Sequence, residues 1–482
     1  MTTRRELVRR LSAVVGAEHV FWRPEDLLVY EFDGTIEKHL PHAVVFPDGA
    51  EEVAGVVRVC NDLDIAVTPR GAGTGLSGGA VPAQRGVVVA TARMRRIIEI
   101  DPVNRVAVVE PGLPNIQLSE AAAAHGLFYA PDPSSQKACT IGGNVAENAG
   151  GPHCLALGVT TNHVLGIEVV TAGGEITWLG GKTLDPFGYD LRGLFIGSEG
   201  TLGIATKVIV RLLPVPETVV TLLAIFDSIE QASAAVSSII SSGMIPAAIE
   251  MIDRVTIQAV ESSLKCGYPP EAGAVLLVEL DGLPEVVEPQ VAEARAACRE
   301  MGATEVRAAR DAVERELLWR GRKGAIGALG HVAPNYYLLD GVIPRSRLVE
   351  VMGRVGAIAG EYGFPVANMF HAGDGNLHPA LIFDERVPGA KERVLEAGAE
   401  IMRVCIDVGG ALTGEHGVGY EKQRFMPWLY NEADLENMER VRAAFGNTGR
   451  FNPCKILPHG TGCGEMVHQE AAMRAAGPDA YV

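Results

Sequence analysis

The chain has 482 residues, 47% apolar and 21% charged, with a formal net charge of -17. That length and apolar content exceed one ordinary core and point to two or three folded domains rather than a disordered chain. The acidity argues against nucleic acid, whose phosphates need basic patches, and against an anionic membrane surface.

The opening "MTTRRELVRRLSAVV" is basic, with helical periodicity over residues 5 to 15, and reads as an amphipathic helix rather than a leader. A second helix is expected over 50 to 62, with the short strand "HAVVFP" before it, closed by Pro47. "IAVTPRGAGTGLSGGAV" joins two strands through a glycine-rich loop, "GVVVAT" follows, and "RVAVVEPG" is another strand. "PNIQLSEAAAAHG" is a helix with Pro114 near its start and Gly126 past its end. The stretch "APDPSSQKACTIGGNVAENAGGPHCLALG" reads as a loop of small residues, and "VLGIEVVTAGGEITWLG" as a hairpin with a Gly-Gly turn. The proline-rich "RLLPVP" then marks a domain boundary.

Beyond it, "VVTLLAIF" is a strand and "SIEQASAAVSSIISSG" a helix, with Ser228 and Gln231 as a capping box. "GAVLLVELDG" and "EVVEPQVAEARAACREMG" repeat strand and helix, as in an α+β sandwich. Helices are expected near 345–362 and 391–408; residues 420–458 are helical before closing in "GRFNPCKILP", and the tail from 459 reads as loosely ordered. No apolar run reaches the ~18 residues of a membrane span. The eight cysteines, at 60, 139, 154, 266, 298, 405, 454 and 463, form no CxxC, so the simplest reading is reduced thiols in a cytoplasmic protein.

"GTGLSG", residues 73 to 78, matches GxGxxG, but a Rossmann turn must run from strand into helix. "GAVPAQRG" follows here and cannot be a helix. The loop is better read as a nest of backbone N–H groups around a pyrophosphate; the bland alternative is a turn and no more. Two further segments of small residues, "TIGGNVAENAGG" and "GSEGTLGI", suggest backbone packed against a large flat ligand.

Together "PRGAGTGLSGGA", "GGNVAENAGG" and "GSEGTLGI" resemble the flavin domain of the vanillyl-alcohol oxidase-like flavoproteins. Within that group the chain is most similar to the FAD-linked D-2-hydroxyacid dehydrogenases, which include glycolate oxidase flavin subunits and D-lactate dehydrogenases. The resemblance runs from about residue 20 to 458 and implies an α+β architecture. Its parts are an N-terminal helical segment (1–37), a two-subdomain FAD-binding domain of the PCMH type (38–217), a substrate or cap domain (218–410), and a helical C-terminal segment that completes the active site (411–482). It implies FAD, held non-covalently. Pro69, Arg70, Gly71, Ala72, Gly73, Thr74, Gly75 and Ser77 would cradle the pyrophosphate. Pro131, Ser135, Thr140, Gly142, Gly143 and Asn144 would line the flavin and ribityl chain. Glu199, Gly203 and Ile204 would flank the adenine side, and Asn452 the isoalloxazine. His153 and His163 are read as packing or polar contacts.

"HAGDGNLHP" carries two histidines seven apart. If Asp374-Gly375 forms a two-residue hairpin turn, His371 and His378 stand directly opposed, which suits one divalent ion. "TGEHGVG" supplies Glu415 and His416; two imidazoles and a carboxylate are a common ligand set for an ion with open positions. The bland reading is two polar loops with satisfied histidines. The resemblance implies His371, His378 and Glu415 as ligands of zinc, manganese or iron, His416 as the base, and Arg322 as the clamp on the substrate carboxylate. It further implies a 2-hydroxy acid substrate and an iron–sulfur subunit or electron-transfer flavoprotein as acceptor. Such a protein is cytoplasmic, or at most peripheral to the inner membrane through a partner, and a homo-oligomer is compatible with it. Relatives that take dicarboxylates carry a lysine near Leu338 and a polar residue at Ala380, so this pocket is expected to favour glycolate, D-lactate or a similar monocarboxylate. Two rivals stay open: a non-catalytic flavin-binding companion subunit, and an oxidase that uses oxygen.

Overall fold

The computed structural model describes residues 4–183 and 188–458. The tail expected to be loosely ordered lies outside the described residues.

The first half holds two sheets. In one, the strands run in the order Val20–Phe21, Ala43–Val45, Val87–Ala90 and Val67–Arg70, the last three parallel. Alternate side chains point to opposite faces. Val45, Val87 and Val89 pack under the helices Arg4–Val15 and Ala50–Asp62, while Val44, Val88 and Ala90 pack on Leu27. Covered on both faces, Ala43–Val45 and Val87–Ala90 are unbroken apolar runs, as parallel strands usually are. The other sheet is antiparallel, in the order Ile97–Asp101, Val106–Val109, Gly203–Arg211, Val164–Thr171 and Ile176–Gly180. It contains the expected hairpin, whose turn has Gly174 at φ +82°.

The second half is built on a nine-stranded sheet. Thr218–Phe226 and Ala274–Gly282 pair antiparallel along their whole length. Each is followed by a helix, Ile229–Ser241 and Pro284–Glu300, that buries Ala235, Val236, Ile239 and Ala294 against the sheet. Ser228 caps the first helix by accepting from the Gln231 N–H at 3.3 Å. Strand Ala248–Asp253 joins this pair to Val366–His371. The C-terminal segment then crosses back to the first half: Phe451 bridges Val67 in parallel, and the Asn452 N–H donates to Val67 O at 2.6 Å.

Two local expectations fail. "TIGGNVAE" is not loop: Ile141–Glu147 is a helix, capped by Thr140 Oγ1 accepting from Gly143 N and ended by Asn148 at φ +52°. The cap and the left-handed stop outweigh the low helix propensity of two glycines. Cys454 is disulfide-bonded, so the reduced-thiol reading does not hold there; the absence of CxxC bears on metal sites and not on one pair. Cys60, Cys139, Cys154, Cys266, Cys298 and Cys405 are free.

Candidate active site

The histidine pair does converge, through a different turn from the one expected. Strand Val366–His371 pairs with Asn376–Leu377 in the register His371↔Asn376, and then Asn368↔Pro379. The turn is therefore four residues, Ala372 to Gly375, closed by Gly375 N donating to His371 O at 3.2 Å. Gly375 sits at φ +80°, and a Cβ there would come within 2.3 Å of the Ile343 carbonyl oxygen, so the turn has room only for glycine. In this register His378 lies diagonal to His371 on the same face. Both rings are buried, with centroids 5.0 Å apart.

Glu415 and His416 sit on a loop wrapped around one buried acid. Asp340 accepts from Thr413 Oγ1 at 2.5 Å, Gly414 N at 3.2 Å and His416 N at 3.0 Å, and from the Lys422 ammonium at 3.1 Å. Glu199 secures the next turn, accepting from Val418 N at 2.7 Å and Gly419 N at 2.5 Å. Held this way, Glu415 Oε1 stands 3.0 Å from His371 Nε2 and 3.4 Å from His378 Nε2. Ligand atoms around one tetrahedral ion at Zn–N and Zn–O bond lengths stand about 3.3 Å apart. The donor set therefore fits a divalent ion, and buried His378 Nε2 also stands 3.5 Å from Asp340 Oδ1. His371 Nδ1 meets Glu250 Oε1 at 2.7 Å, the carboxylate–histidine pairing that orients metal ligands.

His416 stacks on His378 with centroids 4.7 Å apart, and its Nδ1 is buried 3.9 Å from Asp340 Oδ2. Burial outweighs the pull of Asp340 and Glu415 and lowers its pKa to about 4, so the ring is neutral at pH 7. Arg322 ends the helix Ala312–Lys323 and is buried, its Nη2 2.6 Å from Glu250 Oε2. The two charges form a buried ion pair, and Arg322 Nε makes no hydrogen bond.

One cavity of about 450 Å³ joins these groups to the glycine loops. Pro69, Arg70, Gly71, Ala72, Gly73, Thr74 and Gly75 line it, as do Ser135, Thr140, Gly142, Gly143, Asn144, Glu199, Gly203 and Ile204; Arg322, His378, Glu415 and His416 close the far end. Four expected residues stand behind the wall. Ser77 accepts from the N–H groups of Tyr420 and Glu421, and Pro131 O from Asn115 Nδ2. Asn452 Nδ2 donates to Gly79 O and Glu199 O, and His371 is shielded by Glu415 and Glu250. At Gly75 a Cβ would meet nothing closer than 3.8 Å, and at Gly143 nothing closer than 3.3 Å. Side chains at these two positions would fill cavity space that bare backbone leaves to a ligand, which is the fit a long, flat dinucleotide requires.

Sequence reasoning missed Glu250, Asp340, Lys323 and the role of His153. Glu250 interrupts the apolar strand "AIEMID", and a buried acid in such a strand implies a charged partner; that was the available signal. Lys323 lines the cavity and bonds Asp132 and Gln136. His153 makes polar contacts, as expected, but to two acids: its ring nitrogens meet Asp132 at 2.9 Å and Glu279 at 3.0 Å, tying the two halves together. His163 fits its reading, with Nε2 against Leu157 O.

Comparison with known proteins follows this geometry. Residues 41–180 match the family described as "FAD binding domain", and residues 215–456 match "FAD linked oxidases, C-terminal domain". The chain is 45% identical over 464 residues to the glycolate oxidase subunit GlcD of Escherichia coli (strain K12), covering 96% of this chain and 93% of that one. It is 34% identical to the D-lactate dehydrogenase of Archaeoglobus fulgidus, covering 89% and 95%. Among solved structures, 4-ethylphenol oxidase from Gulosibacter chungangensis superposes with a TM-score of 0.80 at 19% identity, covering 95% and 97%, which shows the shared fold.

Proposed function

The chain belongs to the FAD-linked oxidases, and from that premise we propose that it oxidises a small 2-hydroxy acid to the 2-oxo acid at the cavity end where His378, Glu415, His416 and Arg322 meet. It is an FAD-dependent hydroxyacid oxidoreductase. The observation that carries the finer reading is the convergence of three ligand atoms, all within 4.8 Å of one another, beside a neutral, stacked imidazole.

Bound FAD supplies the hydride acceptor. His371, His378 and Glu415 would hold a divalent ion, which would supply a Lewis acid to make the substrate hydroxyl more acidic. The chain's residues do the rest. Arg322, which lines the cavity with Nη2 ion-paired to Glu250, takes the substrate carboxylate through its guanidinium charge and N–H groups. His416 Nε2, on the Glu415 side, takes the hydroxyl proton. Asp340, 3.9 Å from Nδ1, favours the imidazolium that results, as an orienting carboxylate does in other base pairs.

Leu338 and Ala380 are Cα partners on paired strands, both buried in one apolar cluster, so neither position offers a charge to a second carboxylate. Neither lines the cavity, so the preference for glycolate or D-lactate over a 2-hydroxy diacid rests on the family resemblance at these positions. The relative named as a glycolate oxidase subunit supports assembly with partner subunits, and the acceptor proposed is an iron–sulfur subunit or electron-transfer flavoprotein. No helix among the described residues is long and apolar enough to cross a membrane.

Anaerobic titration with a panel of D- and L-2-hydroxy acids tests the reading. Bleaching of the flavin by glycolate or D-lactate is the expected outcome; a flavin that no acid on the panel bleaches means an inert companion subunit.

A further inference from the structure

Beside the glycine loop stand two acids that the hydroxy-acid chemistry does not use. Glu147, the last residue of helix Ile141–Glu147, and Glu199 both line the cavity. Their carboxylates flank one point: a Cβ on Gly417 would clash with Glu147 Oε2 and with Glu199 Oε1 alike. Two carboxylates this close in a cavity wall do not ionise together easily, and they share a proton. The hydrogen bonds place it. Glu199 accepts from two backbone N–H groups, Val418 N at Oε1 and Gly419 N at Oε2, which suits the anion. Glu147 accepts one long bond, 3.4 Å from Ser77 Oγ. The lysines within electrostatic reach are engaged elsewhere: Lys422 donates to Asp340 and Gly417 O, and Lys455 to Val81 O. Burial and the charges of Glu199 and Asp33 hold Glu147 well above the usual carboxylate range, while burial pushes Glu199 up to about 7. The proton therefore belongs to Glu147.

Glu147 Oε1 faces the loop. It stands 2.5 Å from where a Cβ on Gly79 would lie, and 3.8 Å from that of Gly75, whose missing side chain leaves cavity space to a ligand. Asp33 Oδ2 lies 4.0 Å from the same Gly75 point; its Oδ1 accepts from Thr35, and its charge faces Arg70. Acids thus border a loop expected to hold a pyrophosphate. An ionised carboxylate there repels phosphate, whereas a protonated one donates a hydrogen bond to it.

We infer that Glu147 is a neutral hydrogen-bond donor to the phosphate oxygens of FAD, and that FAD enters together with a proton wherever the free acid has lost one. This donor role rests on FAD lying along the glycine loop and not on the hydroxy-acid chemistry. A bound phosphate strengthens the hold of Glu147 on its proton. FAD binding therefore takes up protons, and its affinity falls as pH rises. The charged groups facing the pair are Asp33 from the N-terminal segment and Lys422 and Lys455 from the C-terminal one. Lys455, lowered by burial to about 8, is the rival source of such uptake, because an anion also favours its charged form.

Calorimetry tests this on the full-length chain freed of flavin, titrated with FAD at pH 7, 8 and 9 in two buffers of different ionisation enthalpy. Proton uptake should grow with pH toward about one per FAD, and affinity should fall by at most about tenfold per pH unit. Glu147→Gln keeps a donor of the same shape that needs no proton. Its uptake should vanish, and its affinity should vary less than about threefold over the range. Riboflavin, which has no phosphate, should bind the parent without uptake. Absence of uptake in the parent overturns the inference. So does uptake that persists in Glu147→Gln, which assigns it to Lys455, or uptake that riboflavin reproduces, which turns Glu147 toward the ring. Magnesium that raises FAD affinity and cancels the uptake also overturns it, because an ion then neutralises the acids. A chain that binds no FAD at any pH sinks the cofactor reading as well.

Discussion

Glu250 holds Arg322: its Oε2 lies 2.6 Å from Arg322 Nη2, with both side chains buried. Its other oxygen orients His371, so one strand carboxylate links the candidate carboxylate clamp to a candidate metal ligand. Glu250→Gln keeps the shape and removes the charge. It leaves a buried guanidinium unpaired, which costs about 3–5 kcal/mol of stability. It should also weaken metal retention about 10- to 100-fold through the misoriented imidazole. Urea unfolding and competition with a chelator read the two effects. Adding Arg322→Met should restore much of the stability but not the metal, since only the first effect comes from the unpaired charge.

Removing the metal should stop the reaction without removing the flavin. His378 closes the cavity at the end away from the glycine loops, so His378→Ala breaks the ligand set and leaves the loops untouched. Elemental analysis should fall from about one divalent ion per chain to a small fraction, while the flavin spectrum persists. Full activity in a metal-free preparation contradicts the assignment of His371, His378 and Glu415.

His416→Ala should slow flavin reduction about 10²- to 10⁴-fold, the usual worth of a positioned base. Arg322 and the three ligands stay in place, so the substrate concentration for half-saturation should change far less. Anaerobic stopped-flow separates the two quantities. Reduction near the parent rate assigns the proton to another group.

His153 makes an interface contact that depends on pH. Burial disfavours its charge, but Asp132 and Glu279 outweigh burial and push it up to about 10, from a reference near 6.5. A raised pKa means the folded state binds the proton more tightly than the unfolded chain does. Its stabilisation is therefore complete below about pH 6.5 and is lost as pH rises through about 10. His153→Gln should lower the melting temperature most at pH 6, with the gap to the parent narrowing steadily up to pH 10. A gap independent of pH means the ring acts by packing alone.

Much of the site was legible because its signals are local. A glycine loop between two strands, "HAGDGNLHP" and "TGEHG" can each be read within a dozen residues, and the periods of 2 and 3.6 placed most helices and strands. Even so, local reading chose a two-residue turn at Asp374-Gly375, where the register His371↔Asn376 makes a four-residue one. The period-2 pattern kept both histidines on one face under either turn, so the inference survived the error.

By itself, then, the sequence determined the α+β order of elements, the glycine loops and the identity of the candidate ligands, because those depend on neighbours along the chain. Only the tertiary structure decided what holds them. Glu250 reaches His371 across 121 positions, and Asp340 reaches the His416 N–H across 76. Glu199, read as a neighbour of the adenine, lines the cavity and also holds the His416 loop from 219 positions away. A buried charge must be matched by whatever the fold brings beside it, and no local pattern states what that is.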